Sequence, residues 1–152
     1  MINAETESRK GAEVTENLLS EQVLDAAIEV HRTLGGPGLL ESLYEDAMFS
    51  EVRLRNIPAL SQGSIPVTYK NCKLRDPMRL DILVDSKVII QVKATETVLA
   101  VHKAQVLTYL RLTNLKLGLV INFGQGRLID GWNRVVNDLI IPYSASLRLC
   151  VS

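Results

Sequence analysis

The stretch RLDILVDSKVIIQVKA, residues 79–94, carries the residues of this chain best suited to chemistry. It reads as two β-rich runs around Asp85-Ser86-Lys87. A three-residue loop there sets Val84 opposite Val88, Ile82 opposite Ile90, and Asp81 opposite Gln91. Opposed residues of an antiparallel pair project to one side of a sheet, and the alternation of side chains adds Lys93 to that side. A carboxylate, a carboxamide and an ammonium are thereby gathered together. Leu80, Ile82, Val88, Ile90 and Val92 are then expected on the other side, toward a core. A two-residue loop would pair Asp81 with Ile90 and scatter the polar group.

Such a group suits phosphodiester hydrolysis. A hard divalent ion such as Mg2+ or Mn2+ takes oxygen ligands, commonly one or two carboxylates completed by water and substrate phosphate. The ion lowers the pKa of bound water and neutralises developing charge, and a lysine beside it orients water or stabilises the transition state. The plain alternative is that alternate polar residues simply face solvent. Spacing alone leaves the two readings level.

The elements that must carry this hairpin are legible around it. Ser20 is placed to cap a helix through EQVLDAAIEVHRTL, with Val23, Ala27, Val30 and Leu34 at helical spacing. Residues 1–19 are expected to form a flexible lead-in and 20–152 a single domain. Gly35, Gly36, Pro37 and Gly38 break the first helix. A second is expected from about Leu39 to Arg55, with Leu40, Leu43, Tyr44, Ala47 and Met48 as its buried stripe and Glu41 at the stripe's margin in the first turn. Pro58 to Gly63 reads as a connection and SIPVTYK as a strand. A helix from about Val101 to Leu112 follows the hairpin. LKLGLVINF is apolar enough for a buried strand, RLIDGWNRVV reads as a last strand, and DLIIPYSASLRLCVS shows no clear period. This order implies a mixed sheet flanked by helices, an α/β (α+β) domain.

Composition narrows the classes. The chain has 152 residues and a formal net charge of zero, so no global basic field draws it to nucleic acid. A binding surface would have to be local, and Lys70, Lys73, Arg75 and Arg79 form a basic run that could touch phosphates or simply guard a sheet edge. Cys72 and Cys150 form no CxxC unit and are expected to be reduced thiols of a cytoplasmic protein. No apolar run is long enough for a membrane span. GQGR at 124–127 lacks the pattern of a phosphate loop, and aromatic residues at 5% give little support for a base-stacking platform. His31 is expected to be structural and His102 is left open, neither having a partner at zinc-ligand spacing. Glu96, just beyond Lys93, has the wrong strand parity to replace Gln91. Apolar strands and tail could serve a homodimer, without direct support in the sequence.

Five motifs in succession resemble the GxxExxY branch of the PD-(D/E)XK nuclease superfamily over roughly residues 20–135. They are GLLESLY with Gly38, Glu41 and Tyr44, then Gln62 with IPVTYK, RLDILVDSKVIIQVKA, HKAQVLTYL and LGLVINFG. The resemblance implies a restriction-endonuclease-like core, αβββαβ. It implies that Glu41 is an acid from the N-terminal helix, Asp81 the central metal ligand, Gln91 the occupant of the acidic slot of the ExK motif, and Lys93 its lysine. Gln105 and Tyr109 are similar to a QxxxY element, four residues apart on one helical face, and would touch substrate or tie helix to sheet.

Gln91 departs from the family pattern. Its amide keeps one neutral oxygen but loses the charge, and its NH2 cannot bind a cation. Two functions stay open: a Mg2+- or Mn2+-dependent nuclease acting on DNA or RNA, weakened by Gln91, and a non-catalytic domain that binds nucleic acid or protein on the same fold.

Overall fold

The computed structural model describes residues 4–137, and their side chains from Thr15 onward. Five strands form one sheet in the order β1-β2-β3-β4-β5. They are Ala59–Tyr69, Cys72–Val84, Val88–Lys93, Leu117–Asn122 and Trp132–Val136. Only β3 and β4 run parallel, and helix α3, Ala100–Thr113, makes the crossover between them. Helices α1, Ala4–Thr33, and α2, Glu41–Leu54, precede the sheet. The chain thus contains the expected αβββαβ core as α2-β1-β2-β3-α3-β4 within a mixed sheet flanked by helices.

Each face of the sheet has its own core. On one, Val23, Ala27 and Val30 of α1 and Tyr44, Met48 and Val52 of α2 pack on Ile82, Val84, Val88, Ile90 and Val92. On the other, Val106, Tyr109 and Leu110 of α3 pack on Ile65, Leu80, Ile89 and Val120. Every residue of β4 is buried, as the apolar run 117–121 requires when both faces are covered. Gly118 belongs there because a side chain would strike Val106 Cγ1, 2.3 Å away.

Several expectations need correction. The first helix begins at Ala4, so Ser20 is interior to it and not its cap. Strand β1 begins at Ala59, so most of the expected connection is strand. Leu40, 77% exposed, and Leu43 are not part of the buried stripe of α2. Leu40 is the residue before the helix, with extended backbone, so helical periodicity does not govern it. The segment 127–136 is split into a short 3-10 helix, Leu128–Gly131, and β5. The expectation of reduced thiols rests on Cys72 together with Cys150, and so falls outside the described residues. Cys150 and the tail DLIIPYSASLRLCVS lie outside the described residues. No described helix is long and apolar enough to cross a membrane.

The glycine turn fixes how α2 enters. Gly35, Gly36 and Gly38 all adopt positive φ, the last at 108°, a region costly for any residue with a Cβ. Tyr44, fully buried and stacked on Phe123 at 4.9 Å, closes this loop. Its hydroxyl donates to the Gly36 carbonyl at 2.6 Å and accepts from the Leu39 N–H at 3.2 Å. The turn is thereby tied to the first turn of α2, where Glu41 sits. Tyr44→Phe keeps the stacking and strands both backbone groups, so it should cost about 1–3 kcal/mol. Denaturant unfolding checks this, and an unchanged midpoint would show that the hydroxyl is dispensable.

Candidate active site

The β2–β3 hairpin has the three-residue register. Val84 pairs with Val88, Leu83 with Ile89 and Ile82 with Ile90. Asp85 and Ser86 take left-handed backbone, and Lys87 N–H returns to the Val84 carbonyl at 2.9 Å. The ladder then stops one step short of Asp81 and Gln91. The Asp81 carboxylate accepts the backbone N–H of Val92 at 2.8 Å, so a side chain takes the hydrogen bond that a continuing strand would have made.

The other neighbour of β2 is irregular at the same level. In the β1–β2 register Ser61 pairs with Ile82 and Gly63 with Leu80, so Gln62 lies beside Asp81. Gln62 has a φ of 58°, uncommon for a residue with a side chain. This kink resets the alternation. Ile82 and Val84 face the α1/α2 core, whereas Leu80 and Ile65 face the α3 core. The expectation that Leu80 shares a face with Ile82 fails for this reason.

The opening collects charge. Burial raises the pKa of Asp81 above the usual carboxylate range. The Val92 hydrogen bond opposes this, the Glu41 carboxylate adds to it, and Lys93 and Arg79 counter it. Glu41 and Asp81, distant in sequence, are thus electrostatic neighbours, with Lys93 acting on the same carboxylate. Gln91 is 6% exposed, and its Oε1 is buried without a hydrogen-bond partner. An unpaired buried carbonyl costs about 1–3 kcal/mol, so a partner from outside the protein would recover that energy. Gln91 shares its strand parity with Lys93, so the two side chains leave β3 on the same face.

The helical pair is joined side chain to side chain. Gln105 Nε2 donates to the Tyr109 hydroxyl at 2.7 Å, and Tyr109 is 2% exposed within the α3 core. Burial raises the Tyr109 pKa, and the Asp81 charge adds to the rise. The bond runs within α3, and Tyr109 lies near enough to Asp81 to feel its charge.

Two polar residues, Glu45 and Asn122, passed unnoticed in the sequence, and Gln62 was named there only as part of a motif. Glu45, half-buried, follows Glu41 by one helical turn. Burial raises its pKa, the Asp81 charge adds to this, and the Gln62 hydrogen bond opposes it. Gln62 Nε2 donates to Glu45 Oε1, while Arg79 Nη2 donates to Gln62 Oε1. The i, i+4 spacing of Glu41 and Glu45 was the available signal. Asn122, 1% exposed, clamps the ends of β3 and β4. Its Oδ1 accepts from Thr95 N at 3.0 Å and Gly124 N at 2.9 Å, and its Nδ2 donates to Thr95 O at 2.9 Å. Lys93 is thus held two residues from a fixed point.

The remaining candidates have other work. His31 Nε2 donates to the Gln125 carbonyl at 2.9 Å, a structural role. His102 Nδ1 accepts the Leu99 N–H at 3.1 Å and caps α3. Glu96 is exposed. Lys73, Arg75 and Arg79 are exposed along the β1–β2 hairpin, and Lys70 sits at its turn over the Tyr69 ring.

The raised carboxylates make stability depend on pH. An acid with a higher pKa folded than unfolded holds its proton more tightly in the native state. Below the unfolded value both states are protonated; through the window up to the folded value, rising pH removes stability. Unfolding in chelator should therefore show stability falling as pH rises above about 4, and Asp81→Asn should reduce that fall. A steeper loss in the variant would contradict the burial of this charge.

A model of the PD-(D/E)XK nuclease superfamily matches residues 17–135. No curated protein and no solved structure matches the chain.

Proposed function

Since the chain belongs to the PD-(D/E)XK nuclease superfamily, we propose that it is a nuclease domain that cleaves DNA or RNA phosphodiesters with a divalent metal. We further propose residues 20–152 as its single functional unit and the GxxExxY branch as its place in the superfamily. The observation that carries the reading is the opening between β2 and β3. There the Asp81 carboxylate leaves the ladder for the Val92 amide, under the charges of Glu41 and Lys93, while Gln91 of the adjoining strand keeps a buried oxygen without a partner.

The donor set fits Mg2+ or Mn2+. Among the described residues no three of His, Cys, Asp and Glu cluster as a ready-made cation site. Mg2+ does not ask for one, since it is commonly held by one or two carboxylates and completes its shell with water and phosphate. Asp81 and Gln91 Oε1 would hold the ion, with Glu41 reaching from α2. When bound, the ion supplies an activated water and neutralises charge on the phosphate.

The chain's own groups do the rest. Asp81 stays fixed because the Val92 N–H holds one of its oxygens. Lys93 brings positive charge to the side where an attacking water and a phosphate oxygen would lie. Gln105 and Tyr109 act from behind, keeping the wall of the opening apolar and ordered. Nucleic acid would approach from the exposed basic hairpin, where salt-dependent phosphate contacts position without reading sequence.

The neutral Gln91 favours a second reading, in which the domain binds nucleic acid or a protein without turning substrate over. Incubation with plasmid, single-stranded DNA and RNA in Mg2+ or Mn2+ separates the two. The nuclease reading expects cleavage that Asp81→Ala abolishes and Gln91→Glu raises about tenfold or more, the order by which groups around a metal site commonly matter. Cleavage unaffected by Asp81→Ala removes this site; binding without cleavage in both wild type and Gln91→Glu establishes the second reading.

A further inference from the structure

Building on the proposed metal-dependent site, we infer that Glu45 supplies the carboxylate that the β3 position of Gln91 lacks, entering the cation site from α2 with Gln62 as its positioning residue. In the resemblance-derived set the negative charges number two, Glu41 and Asp81. A third acid stands one helical turn after Glu41, which puts both on one face of α2. Its charge and that of Asp81 act on each other.

Two further observations set Glu45 apart from an ordinary surface acid. Gln62 donates to its carboxylate and is itself held by Arg79. Gln62 lies beside Asp81 in the β1–β2 register and adopts left-handed backbone there. The left-handed residue opposite Asp81 and the amide that steadies Glu45 are therefore the same residue. Independently, Gln91 Oε1, nine-tenths buried and unpartnered, marks where an electropositive ligand is missing. A carboxylate oxygen could not satisfy that carbonyl; a cation shared with carboxylates could.

The arrangement leaves the donors short of a closed cluster, and the long Glu41 and Glu45 side chains can turn toward an ion held at Asp81. Lys93 and Arg79 act on the Asp81 carboxylate, so a cation must compete with them there. Losing any one acid from so small a set is costly, because affinity for hard cations follows the number of charged ligands.

Calorimetric titration of the full chain with Mn2+ tests this without reference to turnover. Glu45→Gln should weaken Mn2+ binding about tenfold or more, while its melting temperature in chelator stays at or above that of wild type, because a desolvated charge has been removed. Adding Gln91→Glu to Glu45→Gln should restore the affinity, since the charge count returns. If Glu45→Gln binds Mn2+ as wild type does while Asp81→Asn does not, the role of Glu45 is overturned and the site survives. If wild type takes up no Mn2+ at millimolar concentration, or takes it up independently of Asp81, the metal site itself is refuted and Glu45 falls with it.

Discussion

The hydrogen bond from the Val92 backbone to the Asp81 carboxylate is the constraint on which the site depends. Strands β2 and β3 could have continued their ladder past Ile82 and Ile90. A side chain instead intercepts the next amide. This satisfies a donor that would otherwise be left without a partner and leaves a split in the middle of the sheet rather than at its rim. A carboxylate at such a position is partly removed from water, and burial is the leading cause of its raised pKa.

The rest of the fold converges on that split. The α1/α2 core sets α2 against the sheet through Tyr44, Met48 and Val52. The positive-φ glycine turn, closed by the Tyr44 hydroxyl, aims the first turn of α2 so that Glu41 acts on Asp81. From the opposite face, α3 brings Tyr109 and Gln105 behind the same carboxylate. Asn122 fixes the far end of β3 beyond Lys93. Two layers that share no side-chain cluster thus meet electrostatically at one residue, because the sheet between them parts there.

The sequence is informative where local patterning and tertiary demand agree. A three-residue loop at Asp85-Ser86-Lys87 was one of two registers the sequence allowed, and it is the one observed, while the apolar run 117–121 announced a strand covered on both faces. It was less informative where one residue's backbone overrides its neighbours' periodicity. The left-handed Gln62 reverses the alternation of β1 and β2, so Leu80 could not be assigned to a face by counting. Leu40 looked like stripe because its spacing is helical, yet it precedes the helix. The polarity of α1 before Ser20 gave no apolar period, so a helical start at Ala4 had no local signature. Gln105 and Tyr109 were legible as a pair on one face, but which group each would bond was not, because that depends on the depth of Tyr109 in the α3 core.

The central claim is that the parting of β2 and β3 creates a cation site of which Asp81 and Gln91 are the inner oxygens. A crystal structure of the protein soaked in Mn2+, with anomalous scattering to locate the ion, addresses it most directly. The account predicts a peak about 2.0–2.6 Å from an Asp81 oxygen and from Gln91 Oε1. An ion held elsewhere, with Gln91 Oε1 bonded to a protein donor, would contradict it.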